Sequence, residues 1–279
     1  MFSIRSGLGT LAIAICLCSA HAQETRRIVS IGGDITETLY ALGLADAIVA
    51  IDTTSQFPPE ALKAKPNIGY LRALSPEGVM SVGGTLVIAS DKAGPPDVVK
   101  TLKAALPYAE IAEGTHPEAV PEKIRAIAKV VDRRAKGEAL AAEVERDLNS
   151  LAEERKRVPQ PLRALFVLNI QGGRFVVAGS ETNAAAMLRL SNLTNVAAEL
   201  KGYKPIGDET LLAMAPDLVL VMKAAGHDPG AAMQSAALAA TPAGKNKRIV
   251  SVDAGDLLSF GPRVAQQARS LMQSSYAKP

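Results

Sequence analysis

The sequence predicts an α/β protein of two lobes, joined by one long helix, with a ligand cleft between them. Three observations carry that expectation. Short β-branched runs alternate with helical ones along most of the chain, one charged, Ala-rich amphipathic stretch over 121–158 interrupts the alternation, and a unit of the first half is echoed in the second.

Met1 to Ala22 combines a basic Arg5, the apolar run "LGTLAIAICLCSA" and the small-residue pattern Ala20-His21-Ala22, which reads as a signal peptide over 1–22 cleaved after Ala22. Both cysteines, Cys16 and Cys18, lie in this run without the flanking residues of a lipoprotein cleavage site. The exported chain is therefore expected to carry no thiol, no disulfide and no thiolate metal site. Removing Arg5 from the 31 basic residues leaves 30 against 28 acidic, or +2, without the basic excess of a nucleic-acid-binding domain. No later apolar run approaches the roughly 20 residues of a membrane span.

The N-terminal lobe is expected over 23–120. "RRIVSIGG" reads as a strand ending in glycines, "DITETLYALGL" as a helix with apolar residues at helical spacing, and "DAIVAID" as the next strand. "SPEGVMSV" is a capped helix, "GTLVIAS" a strand, "PPDVVKTLKAAL" a helix with proline in its first turn, and "AEIAEG" a strand. The stretch "PEKIRAIAKVVDRRAKGEALAAEVERDLNSLAEERKR" is interrupted only by Gly137 and reads as the linking backbone helix over 121–158. After "VPQP" the C-terminal lobe, 159–279, resumes the alternation with "RALFVLNIQGG", "TNAAAMLRLSNL", "DETLLAMA", "DLVLVMK" and "RIVSVDAG". Such alternation implies two Rossmann-like lobes built on parallel sheets.

The echo pairs "SPEGVMSVGGTLVIAS", 75–90, with "GDETLLAMAPDLVLVM", 207–222, without a gap. Glu77 and Glu209 fall in register, and one position out of register each unit is preceded by Gly-Tyr, Gly69-Tyr70 and Gly202-Tyr203. In a chain with five tyrosines, five phenylalanines and no tryptophan, an aromatic placed in the turn "NIGYLRALSPE" with Arg72 beside it is a candidate binding group.

Taken in order, "RRIVSIGGDITETLYALG", "IGYLRALSPEGVMS", "LNIQGGRFVVAGSETNAAAML", "GYKPIGDETLLAMAPDLVLVM" and "SFGPR" resemble the haem-binding proteins of bacterial haem uptake, within the helical-backbone class of substrate-binding proteins that feed ATP-driven importers. That resemblance implies a periplasmic protein that captures haem and delivers it, without catalysis, to an inner-membrane ABC permease and its ATPase, with an outer-membrane haem receptor upstream. It also implies that Tyr70 is an axial ligand to the haem iron. A phenolate is a hard, anionic oxygen suited to ferric iron, and tyrosine is among the known ligands of haem. A cation such as Arg72 favours the deprotonated phenol and is equally suited to a haem propionate.

Other residues keep alternatives open. Tyr203 either closes over the porphyrin or packs in its own lobe. Arg174 and Arg263, in "QGGR" and "FGPR", are candidate propionate partners because guanidinium pairs well with carboxylate. Some relatives carry an arginine after "VLVM"; this chain reads "KAAGHDPG", leaving Lys223 or His227 in that role. His116 reads as structural or solvated. Gln171 stands where some relatives carry a histidine, which implies a single bound haem. Glu77 and Glu209 either favour their own helix dipoles or, as the resemblance implies, dock onto permease arginines. Within the binding class, cobalamin, a siderophore or a bare metal are the rival cargoes, and two histidines in the exported chain disfavour the last. The rival class is a secreted α/β enzyme; the chain has no G-x-S-x-G elbow.

Overall fold

The computed structural model describes residues 26–114, 116–158, 160–223, 230 and 234–277; the expected signal peptide and His227 lie outside the described residues. The N-terminal lobe begins with β1 (Ile28–Ile31), α1 (Gly33–Ala41), β2 (Ile48–Ile51) and a short α2 (Ala61–Ala64). It continues through α3 (Pro76–Ser81), β3 (Leu86–Ser90), α4 (Pro96–Ala105) and β4 (Tyr108–Ile111). The four strands form one parallel sheet in the order β2-β1-β3-β4. Both faces of this sheet are covered, which is why β1 and β3 read as apolar runs rather than alternating ones. Ile28 and Ile88 face a core with Leu39 and Ile127, while Val29, Ile31 and Val87 face one with Val79 and Leu102. The strand order reverses between β1 and β3, so the carboxyl ends of these strands open a crevice where α/β sheets place ligands.

The amphipathic stretch expected as one helix over 121–158 is two: α5 (Val120–Val130) and α6 (Arg134–Arg155). The break falls at Val131–Arg133, where Asp132 takes a left-handed conformation with φ 54°. Gly137, the interruption visible in the sequence, lies inside α6 and has a packing role. A Cβ there would sit 2.2 Å from the Cβ of Ala128 on α5, so its absence lets the two helices touch. Ile127 and Ala128 of α5 join the N-terminal core, whereas Ile124 packs with Ala141, Val144 and Leu151 of α6 and with Phe166 and Leu220 of the other lobe. Helix α6, 22 residues and about 33 Å long, is the long helix that joins the lobes. Its far end is held by Glu154, which accepts 2.8 and 3.0 Å bonds from Arg269 on the C-terminal helix, Val264–Tyr276.

The C-terminal lobe contains β5 (Leu162–Gln171), β6 (Arg174–Ala178), α7 (Asn183–Leu190), β7 (Leu193–Asn195), β8 (Tyr203–Ile206), α8 (Asp208–Met214), β9 (Leu218–Lys223) and β10 (Ile249–Asp253). Its sheet runs β10-β9-β5-β6-β8, with β7 beside the first half of β5. Here the expectation of a parallel sheet needs correction, because β6 runs antiparallel to both β5 and β8. Gly172 and Gly173, both at positive φ, close a two-residue hairpin of the kind that matches strand twist, and Gln171 faces Arg174 across it.

The repeat predicted from sequence is structural. Adding 132 to the bounds of β3 brings Leu86–Ser90 onto Leu218–Met222 of β9, and α3 falls on α8. Val79 and Leu211, one per helix, are both fully buried beneath them. Burial of such a side chain contributes about 1.5–3 kcal/mol, enough to orient a helix of two turns.

Candidate functional site

Tyr70 is placed by backbone hydrogen bonds. The segment before it runs along the end of β2, with Ile68 N–H donating to the Ile51 carbonyl at 3.0 Å and Thr53 N–H to that of Gly69 at 2.9 Å. Asn67 accepts the Gly69 N–H on its side chain at 2.8 Å, and Gly69 turns the chain with φ 94°. After Tyr70 the chain is stapled to the loop following β3. Gly94 N–H donates to the Leu71 carbonyl at 2.8 Å and Leu74 N–H to that of Gly94 at 3.0 Å. Leu71 and Leu74 are buried, while Tyr70 between Gly69 and Leu71 is 45% exposed. A rigid turn thus presents a large aromatic to solvent.

Tyr203 follows Gly202, which also has positive φ, but its surroundings differ. It packs against the C-terminal core, and burial pushes its phenol up to about 12, with the charge of Arg72 pulling the other way and Glu113 reinforcing the rise. Arg72 belongs to the N-terminal lobe, so its charge acts across the boundary between lobes. Glu113, just past β4, is raised chiefly by burial and further by Asp34, and is opposed by Lys123 and Arg72. Its carboxylate accepts a 3.2 Å bond from Asn183 at the start of α7, whose amide also reaches the Leu258 carbonyl at 2.9 Å. Glu113 and Asn183 therefore bond across the boundary between the lobes, and the charges of Arg72 and Glu113 are both felt by Tyr203. Glu113 and Asn183 were not singled out by sequence; the signal available was position, a loop at a strand's carboxyl end and a helix start.

Among the expected binding residues, Arg72 lies close enough to Tyr203 for its charge to act on the phenol. Arg174 is exposed at the start of β6 and Lys223 at the end of β9, on the edge of the sheet that carries the Gly172–Gly173 turn. His116 is exposed before a short 3-10 turn, Pro117–Ala119. Arg263, a candidate propionate partner by sequence, is engaged with the other lobe. Its backbone N–H and guanidinium bind Glu37 at 2.8 and 3.2 Å, and the guanidinium stacks on Phe57 at 3.4 Å. The cause is a buried carboxylate: Glu37 is raised by burial and needs the cation that pulls it back. A second buried pair, Lys123 with Asp34, adds a 3.2 Å bond from Lys123 to the Phe260 carbonyl. These contacts latch the lobes together beside a cavity of about 200 Å³ lined by Gly33, Thr54, Phe57, Asp253, Gly255 and Ser259. This volume is below the roughly 300–1,000 Å³ of ligand pockets.

Glu77 and Glu209 are both exposed in the first turns of α3 and α8. Among the described residues no cluster of three or more His, Cys, Asp or Glu is placed to hold a metal ion, and no helix is long and apolar enough to cross a membrane.

The model of the periplasmic binding protein family matches residues 28–255. Among solved structures, the periplasmic haem-binding protein RhuT from Roseiflexus sp. RS-1, in apo form, is 36% identical with a TM-score of 0.84, over 90% of this chain and 98% of that one. The periplasmic haem-binding protein BhuT, in complex with two haems, is 39% identical with a TM-score of 0.82, over 89% and 97%. Among curated relatives, the uncharacterized ABC transporter substrate-binding lipoprotein YvrC of Bacillus subtilis is 25% identical over 91% of this chain and 81% of its own length. The vitamin B12-binding protein of Yersinia pseudotuberculosis is 21% identical over 76% and 74%.

Proposed function

The chain belongs to the periplasmic binding protein family, and from that premise we propose that it captures ferric haem between its lobes, with Tyr70 as axial ligand, and delivers it to an inner-membrane ABC permease. The observation that carries the reading is Tyr70 itself, an aromatic 45% exposed on a turn fixed by hydrogen bonds on both sides. One phenolate oxygen is a poor site for a bare metal ion, which needs several ligands. It is a sufficient anchor for an iron whose equatorial positions are already filled by porphyrin nitrogens. Arg72, whose charge reaches across the lobe boundary, suits a propionate, and Tyr203 supplies a neutral wall because its phenol keeps its proton well above neutral pH.

Solved haem-binding proteins at 36% and 39% identity support haem over a corrinoid, whose curated binder stands at 21%. The signal-like sequence over 1–22 supports a periplasmic location, and in this reading an outer-membrane haem receptor lies upstream. In this reading Glu77 and Glu209 meet cations of the permease, governing orientation and encounter more than affinity.

Titration of the purified protein with ferric haemin tests the proposal. A Soret band and a charge-transfer band that saturate with added haemin are expected. Their absence, with cyanocobalamin bound instead, would move the cargo to a corrinoid. The same titration fixes stoichiometry, where Gln171 favours one haem and the BhuT complex holds two.

A further inference from the structure

Two exposed apolar side chains occupy equivalent places in the two lobes. Met80 is 40% exposed and Leu212 is 44% exposed, and their numbers differ by the same 132 that separates β3 from β9. Each lies three residues after an exposed glutamate, Glu77 or Glu209, so on each helix the carboxylate and the apolar group share one face. Val79 and Leu211, the residues just before them, are fully buried, so both helices are turned the same way about their axes. A single exposed apolar residue carries no message. The same acid-plus-apolar pair presented by both halves of a pseudo-symmetric molecule does.

We propose that the docking face of each lobe is a composite, Glu77 with Met80 and Glu209 with Leu212, and that it fits a two-fold-symmetric membrane permease whose subunits each offer a cation beside an apolar hollow. The inference rests on the docking reading above and extends it by naming what supplies the affinity. Symmetry argues for the partner, since two like patches on one molecule are matched by two like patches related by a two-fold axis. Charge argues against the other occupants. A second copy of this chain would bring carboxylate against carboxylate, and an anionic lipid surface would repel both. The division of labour follows general interface anatomy, in which desolvated apolar anchors hold and rim charges steer. Met80 and Leu212 are anchors of suitable size, and the thioether adapts readily to an irregular hollow.

The test measures the dissociation constant of the haem-loaded exported chain for its cognate permease–ATPase complex in lipid nanodiscs, at low and at high salt. Met80→Ser with Leu212→Ser is expected to weaken binding by about tenfold per site, about 1.4 kcal/mol each, with an unchanged salt dependence and haem spectrum. Met80→Leu with Leu212→Met, which keep the apolar contact, should bind as wild type. Glu77→Gln with Glu209→Gln should weaken binding less at high salt and flatten its salt dependence. If the serine variant binds within twofold of wild type while the glutamine variant loses its salt dependence, the composite face is overturned and docking through the glutamates stands. If neither pair changes binding, the docking reading fails and takes this inference with it.

Discussion

The two lobes carry the same Gly-Tyr turn ahead of the same helix–strand unit, and they use the tyrosine differently. Tyr70 projects from a turn anchored by its neighbours Leu71 and Leu74, whereas Tyr203 opens strand β8 and is absorbed into the C-terminal core, its phenol pushed up to about 12 by burial. A repeated motif thus leaves one tyrosine exposed and the other half-buried. The difference arises outside the motif. In the N-terminal lobe the turn is pinned to backbone around Ile51 and Gly94, and in the C-terminal lobe the tyrosine is captured by an antiparallel partner, Ala178 of β6, that the first lobe lacks.

The strongest way to break this comparison is to remove each hydroxyl in turn. Tyr70→Phe is expected to lower haem affinity by more than about 100-fold, since even outer-shell changes around a metal cost about 10–100-fold. Tyr203→Phe should stay within about threefold. Haem transfer to apomyoglobin measures both, and equal losses would show that the lobes share the iron.

The latch between the lobes comes next. Arg263→Ala leaves Glu37 buried without its cation and should cost about 2 kcal/mol at neutral pH, read from urea unfolding. The folded carboxyl of Glu37 is already raised above its ordinary 4.5 by burial, and Arg263 opposes that rise. A raised carboxyl favours folding while protonated and loses that advantage as pH climbs through its folded value. The deficit of the variant should therefore shrink as pH is lowered toward the ordinary carboxyl value of 4.5 and Glu37 becomes protonated. A deficit independent of pH would place the cost in the lost stacking on Phe57 instead.

Gly69→Ala sharpens the contrast between turns. Space around Gly69 is open, so the penalty is conformational, at φ 94°, and should be about 1–2 kcal/mol. Because the strain falls beside Tyr70, haem affinity and melting temperature should drop together. The smallest effect is expected at Arg72. Arg72→Gln should weaken haem binding by about fivefold, worth about 1 kcal/mol, and leave binding of the haem dimethyl ester unchanged. An equal loss for the ester would exclude a propionate contact.

What the sequence made legible was periodic or local. The register of the echo, the capped helix at Ser75, whose side chain accepts the Gly78 N–H at 3.0 Å, and the aromatic of Tyr70 set in a turn could all be read from short windows. The helix break at Asp132 could not, because no glycine or proline marks it, and Gly137 drew attention to the wrong turn. The antiparallel β6 was hidden because a Gly-Gly pair serves many tight turns, and only the pairing of Gln171 with Arg174 identifies a hairpin. The Arg263–Glu37 latch joins residues 226 apart in sequence, and nothing near either residue names the other.

The proposed function requires an iron–phenolate bond from Tyr70 and not from Tyr203. Resonance Raman spectra of the ferric haem complex test it most directly, compared among wild type, Tyr70→Phe and Tyr203→Phe. Phenolate-ligand bands are expected in wild type and in Tyr203→Phe, and their loss is expected in Tyr70→Phe. Phenolate bands that persist in Tyr70→Phe, or that vanish in Tyr203→Phe, would contradict it.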